Sequence, residues 1–277
     1  FTTLAAGLLA GCALPRGRDG AASLDDRYPP GSRAIPGLAT RRVASRDGTR
    51  LHVVTGGAGP VTLAFVHGWS CNHRFFWHQL AACVADYRCV ALDLAGHGDS
   101  ALRRGPVTVE AFVDDVEAAL GVAGQGPVVL VVHSTGGRVA CAATRRLGDR
   151  LLGIVGVDTF QNLALPPPPE AVIEARLAAQ RADFVGDTRR YVGSFFPAGA
   201  DPALREWVAR EMTRTDPAAA IAATAAYSRF DARAAVAGWP RPVRALNADL
   251  FPADAAGIRA VLPRFELTLL PGRSHFP

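Results

Sequence analysis

The stretch "VLVVHSTGGRVA", Val129 to Ala140, decides the fold. An apolar run ends on His133, Ser134 and Thr135, and two glycines follow at once. A short continuous apolar run bounded by turn residues suits a strand buried on both faces. A strand that passes directly into a helix forces the turning residue into a strained conformation. The glycines let helix and strand approach closely. The hydroxyl of Ser134 then stands at the carboxyl edge of a sheet, beside a helix N-terminus. The peptide N–H groups and dipole of that terminus favour an oxyanion.

Working outward, further β-type runs lie at 41–45, 51–55, 61–66, 88–94, 151–157, 241–247 and 265–270. Helical patterns separate them at 109–120, 137–147 and 254–261. Alternation of strand and helix predicts an α/β fold, a mostly parallel central sheet with helices on both faces. The alternation breaks after Val157. "LPPPPE" at 165–170 is a stiff connector. An alanine- and arginine-rich helical stretch then runs at 170–182, 188–195, 202–213 and 217–227. The reading is a core of residues 41–165 and 239–277, with 166–238 inserted as a helical cap over the carboxyl edge of the sheet.

Three more motifs accompany the serine: "FVHGWS" at 65–70, "DLAGHGDS" at 93–100 and "GRSHFP" at 272–277. In this order the chain resembles the α/β-hydrolase superfamily, whose nucleophile elbow reads G-x-S-x-G. The resemblance covers the chain from about 41 onward. It implies Ser134 as nucleophile and His275 as base, with the backbone N–H groups of Trp69 and Thr135 as oxyanion hole. It also implies a final helix after the histidine, beyond Pro277. The chain departs from the pattern at Val132, where the superfamily has glycine. A β-branched residue suits an extended backbone, so the departure points to a shifted neighbour and leaves the turn intact.

The order Ser, acid, His leaves more than one carboxylate for the triad. Asp249 follows the strand at 241–247 and is the first choice, although "NADLFPAD" lacks the family's glycine. Asp158, at the end of "IVGVD", is the alternative, and Asp254 is a third that also suits a helix start. His67, His97 and His133 read as structural, and Asp93 as a brace for the loop at 94–99.

Composition narrows the chemistry. The formal charge is +5 and all 30 basic residues are arginine. Without lysine there is no Walker-A loop, no pyridoxal Schiff base and no Ser–Lys dyad. The arginines are scattered in pairs, without the stripe that a nucleic-acid face needs. His73 and His78 are poorly spaced for a metal and no H-E-x-x-H occurs. The expectation is no metal, no cofactor and no nucleic acid. Cys71, Cys83, Cys89 and Cys141 match no zinc spacing; they suit core positions, and in an exported protein some could pair.

The N-terminus, "LAAGLLAGCAL", is too short to span a bilayer and fits a signal h-region. Leu9-Ala10-Gly11-Cys12 resembles the lipobox of bacterial lipoproteins, which implies a lipid on Cys12 and a membrane-anchored, exported protein; a plain signal peptide and secretion are the alternative. Residues 1–12 are then signal and lipobox, and 13–40 a tether. The chain opens on Phe1 and is expected to be a trimmed or partial product.

The function expected is hydrolysis of a carboxylic ester or related acyl bond, with a small apolar acyl group lined by Trp69, Phe75, Phe76, Phe195, Phe196 and Trp207. C–C bond hydrolysis or cofactor-free peroxidase activity on the same triad, and a non-catalytic binding protein, stay open.

Overall fold

The computed structural model describes residues 24–277. The lipobox with Cys12, and the first part of the tether, lie outside the described residues.

Eight strands form one sheet in the order β1-β2-β4-β3-β5-β6-β7-β8. They are β1 (Ala39–Ala44), β2 (Arg50–Gly56), β3 (Thr62–Val66), β4 (Arg88–Leu92), β5 (Val128–His133), β6 (Leu151–Val157), β7 (Val243–Ala248) and β8 (Phe265–Leu270). The pairs β1–β2 and β2–β4 are antiparallel and every other pair is parallel. Each strand overlaps one of the runs expected from the sequence.

Period-two geometry sorts the buried strand residues into two cores. Leu63, Phe65, Val129 and Val131 point to one face, where Phe76, Trp77 and Leu80 meet them. Ala64, Val66, Leu130 and Val132 point to the other, against Phe112, Val116, Val139 and Ala143. Helix α1 (Trp77–Cys83) covers the first face; α2 (Val109–Gly121) and α3 (Gly136–Leu147) cover the second. α1 was not anticipated from the sequence. It is seven residues long and opens from a 3₁₀ turn at His73–Phe76, too short to display a helical period.

Between β6 and β7 the chain forms α4 (Glu170–Ala182), α5 (Phe184–Gly193), α6 (Pro202–Thr213), α7 (Pro217–Arg229) and α8 (Ala232–Val236). Several starts are written in the sequence. Asp201 and Asp216 cap α6 and α7 by accepting N–H bonds, with proline at the first helical position of each. The layer is fastened to the core by polar contacts. The Trp69 indole donates to the Ala220 carbonyl at 2.8 Å, and Asn72 donates to Glu211 at 3.3 Å. Helix α9 (Ala255–Val261) then links β7 to β8. Among the described residues no helix is long and apolar enough to cross a membrane.

Candidate active site

The turn after β5 has the strain that its sequence implies. Ser134 has φ of 52°, left-handed for a residue with a side chain. The two glycines after Thr135 are sterically required. A Cβ on Gly136 would lie 2.6 Å from the Val66 carbonyl oxygen, and one on Gly137 would lie 2.3 Å from Thr159 Oγ1. The elbow is also tied down. The Thr159 hydroxyl donates to the Ser134 carbonyl at 2.6 Å, and Ser134 N–H donates to the Val157 carbonyl at 3.2 Å. Val132 is fully buried and pairs in register with Val66 on one side and Gly156 on the other. The missing side chain is thus on the neighbouring strand, and the extended backbone accepts valine without disturbing the turn.

His275 lies on the turn after β8 and is buried. Its Nδ1 is hydrogen-bonded to Asp158 Oδ2. Asp158 is fully buried at the end of β6 and has φ of 42°. Its other oxygen accepts the Ala248 N–H and the Gln161 amide, each at 3.0 Å. The carboxylate is therefore oriented from β7 and from its own loop. The first-choice acid, Asp249, does not meet the imidazole. It is exposed, and its Oδ1 accepts the Gly272 N–H at 3.0 Å, bracing the turn that leads to His275. Asp254 caps α9 through the Gly257 N–H at 2.9 Å. The two carboxylates leave different strand ends. β6 lies beside β5, with Val157 opposite His133, so Asp158 and Ser134 are the residues that follow two paired strand ends. Asp249 lies beyond β7, one strand further away.

Ser134, Thr135, Trp69 and His275 all line one cavity of about 250 Å³ between the sheet edge and the helical layer. A second cavity, of about 420 Å³, is also lined by Ser134 and His275 and extends along the 158–165 loop. Among the described residues, neither the Trp69 nor the Thr135 backbone N–H donates to another backbone group. His67 shapes the loop that carries Trp69: its Nε2 accepts the Leu94 N–H at 3.0 Å, and Nδ1–H donates to the Gly68 carbonyl at 2.8 Å. Burial holds its ring below the ordinary histidine range, in the neutral form that these two bonds need.

His133 does more than pack. Its Nε2–H donates to the His275 carbonyl at 2.9 Å, while the His275 N–H donates to Phe195 in the helical layer at 2.8 Å. The catalytic-type loop is clamped from both sides. Burial pushes the His133 pKa well down, so the ring stays neutral. The sequence signal for this role was only its place next to the serine.

Asp93 braces its loop as expected, accepting the Asp99 N–H at 2.8 Å and the His73 N–H at 2.7 Å. Among the described residues, His52, His73 and Asp93 form the one cluster with metal-type donors, all within 4.8 Å. The His73 ring is already hydrogen-bonded to Asp93 and stacked on His52, which suits a hydrogen-bonded cluster. The four cysteines Cys71, Cys83, Cys89 and Cys141 are buried and unpaired. The aromatic residues expected in the acyl site divide: Trp69 and Phe195 line the serine's cavity, whereas Phe75, Phe76, Phe196 and Trp207 line a separate one beside Pro29 and Pro277.

A model of the α/β-hydrolase fold family matches residues 61–246. Lipase LipV of Mycobacterium tuberculosis is 38% identical over 109 residues, which cover 39% of this chain and 41% of that protein. Epoxide hydrolase 4 of Homo sapiens is 31% identical over 118 residues, covering 41% of this chain and 33% of its own length. The 2-(acetamidomethylene)succinate hydrolase of Mesorhizobium japonicum is 23% identical over 237 residues, covering 82% of this chain and 85% of its own. The matched segment thus spans less than half the length of the first two. Among solved structures, a thermophilic esterase from Thermogutta terrifontis superposes with a TM-score of 0.75 at 23% identity, covering 86% of this chain and 92% of its own. A bromoperoxidase from Bacillus anthracis superposes with a TM-score of 0.73 at 20% identity, covering 86% and 93%. These likenesses concern the fold.

Proposed function

The chain belongs to the α/β-hydrolase fold family, and from that premise we propose that it is a serine hydrolase of carboxylic esters or related acyl bonds. One observation carries the reading. Ser134, strained on its elbow, shares a cavity with a histidine whose far nitrogen is held by a buried carboxylate.

In this reading Ser134 Oγ attacks the carbonyl carbon, and its proton passes to His275 Nε2. The imidazolium is stabilised through Nδ1–H by Asp158, which stays ionised. The oxygen that becomes negative is received by the Thr135 and Trp69 N–H groups, each such donor contributing about 2.7–4 kcal/mol at a transition state. Collapse of the intermediate breaks the bond to the leaving group, which takes the proton from His275. Water, deprotonated by the same ring, then attacks the acyl-enzyme and releases the acid. The aspartate nucleophile of other branches of the fold has no counterpart at the elbow, where the residue is serine.

A fluorophosphonate probe tests the proposal on the intact protein. Stoichiometric labelling that is lost in Ser134→Ala supports it. No labelling of the folded protein favours a binding protein on this fold.

For the N-terminus we propose lipidation of Cys12 and attachment to a membrane outside the cytoplasm, on the strength of Leu9-Ala10-Gly11-Cys12 after a short apolar run. Mass spectrometry of the mature N-terminus tests it: an acylated cysteine supports the anchor, and a free N-terminus at another residue refutes it.

A further inference from the structure

The cavity beside Ser134 was expected to be apolar, but its charge is unbalanced. Two guanidinium groups, Arg138 and Arg176, line it and no carboxylate does. Arg176 is compensated from outside the cavity by Asp187, at 2.9 Å. Arg138 is not. Its one hydrogen bond among the described residues is to the Phe230 carbonyl, at 3.2 Å, and it has no ion pair there. The nearby Asp231 acts on Arg138 through space without an ion pair, and caps α8 through the Ala234 N–H at 2.9 Å. Burial pushes the Arg138 pKa below its ordinary value, the sign of a cation short of compensation.

The surroundings of Arg138 offer donors. Tyr227 and Ser228 are adjacent on α7 and both line the cavity, whereas Thr224, one turn earlier, already donates its hydroxyl to the Ala220 carbonyl at 3.1 Å. The Tyr227 hydroxyl stands near that of Thr135, and both are buried without a hydrogen bond of normal geometry. Unpaired buried hydroxyls are costly, and a planar guanidinium fork matches a carboxylate. Arg138 lies four residues beyond Ser134, about one helical turn into α3. A carboxylate held there sits a short chain away from a carbonyl at the serine.

We propose that this cavity is a carboxylate subsite, formed by Arg138 with the hydroxyls of Tyr227 and Ser228, and that the preferred substrates are monoesters of short dicarboxylic acids. The proposal rests on the reading of Ser134 as nucleophile. It replaces the apolar acyl group by one with an anionic end.

The test compares monoethyl adipate with ethyl hexanoate, two six-carbon acyl groups that differ in the terminal carboxylate, by ethanol release from the full chain. The ratio of kcat/KM, adipate over hexanoate, is expected to be at least tenfold. It is expected to fall towards one in Arg138→Gln and to fall partway in Arg138→Lys, which keeps the charge and loses the fork. Both rates are read on one sample, so the ratio does not depend on how much of a variant folds. A second measurement needs no variant: adipate dianion should slow fluorophosphonate labelling of the wild type, and hexanol should not. A wild-type ratio of one or below, with Ser134 labelled, overturns the subsite and leaves the hydrolase reading standing. A Ser134 that the probe never labels overturns both.

Discussion

The floor of the site and its roof are built on opposite terms. On the floor, formed by the ends of β5 and β6, most polar groups are answered within the protein, with His133 Nδ1 and Thr135 Oγ1 as exceptions. Thr159 donates to the Ser134 carbonyl, Asn247 both accepts from and donates to the Thr159 backbone, and Ala248 N–H fixes Asp158. Space is equally closed, with Gly136 pressed on the backbone of β3 and Gly137 on Thr159. In the roof, Gln180 Oε1, Thr188 Oγ1 and Trp207 Nε1 are buried without partners. In the proposed reading the more fully bonded floor would fix the geometry of bond-making, and the roof would leave groups to be completed by what binds. Substitutions in the floor should therefore stop chemistry, and substitutions in the roof should redirect or tune it.

The largest effect expected is from Ser134→Ala, a fall in kcat of about 10⁶ by comparison with other serine hydrolase triads. Residual activity within a hundredfold of wild type would remove the floor's claim to the chemistry. Next comes the acid. Asp158→Asn should lower kcat by about 10⁴, since the His275 tautomer would be wrong for accepting the serine proton. Asp249→Asn should stay within about threefold, because an amide oxygen can still accept the Gly272 N–H that Asp249 now holds. Steady-state kinetics on both variants decide between the carboxylates; the reverse order would return the acid to Asp249.

That contrast also measures how far the sequence could be read. Val129–Ala140 disclosed the elbow because its constraint is local: an apolar strand, a small polar turn and two glycines are adjacent in the chain. The strand runs were legible for the same reason, since continuous burial is visible in composition. The carboxylate that meets the imidazole was not, because Asp158 and Asp249 both satisfy the order along the chain. What separates them is which carboxylate meets the His275 ring, a contact between residues far apart in the chain. The polarity of the roof was hidden for another reason. Thr224, Tyr227 and Ser228 lie in or beside a stretch that the sequence marks only as helical, and only the fold brings them to the cavity. His133 was legible as a packed ring, but its bond to the His275 carbonyl joins residues 142 positions apart.

A smaller effect should come from closing the floor's space. Gly136→Ala places a methyl 2.6 Å from the Val66 carbonyl oxygen and 2.8 Å from that of His67. Both are backbone atoms, so the strand or the elbow must move. A loss of about 2–3 kcal/mol is expected from such overpacking, read as a lower urea midpoint. An unchanged midpoint would show the floor to be looser than its contacts imply.

The buried loops around the site should also be sensitive to acid. His67, His97 and His133 are buried, and burial lowers the pKa of each, that of His97 to about 3. Above the unfolded value of 6.5 both states are neutral and these groups contribute no pH dependence. As pH falls below 6.5, the unfolded chain takes up protons that the folded ring refuses, so stability declines until the folded pKa is reached. His97 alone should remove about 2 kcal/mol between pH 7.5 and pH 5. His97→Asn should flatten that slope in urea titrations at the two pH values, and a slope that persists unchanged would assign the acid sensitivity to other groups.

The smallest effect tests the roof, and its sign is the informative part. Gln180 is 1% exposed on α4, and its Oε1 has no hydrogen-bond partner. A buried acceptor left unmatched costs about 1–3 kcal/mol, whereas an apolar group of the same shape carries no such cost. Gln180→Met keeps the length and flexibility of the side chain and removes the orphaned oxygen. The free protein should become more stable by about 1 kcal/mol, with a higher urea midpoint and an unchanged slope. Most core substitutions destabilise, so a gain would be specific to an unmatched group. A loss of stability would mean that Gln180 is already satisfied in solution, and the roof would then be as complete as the floor.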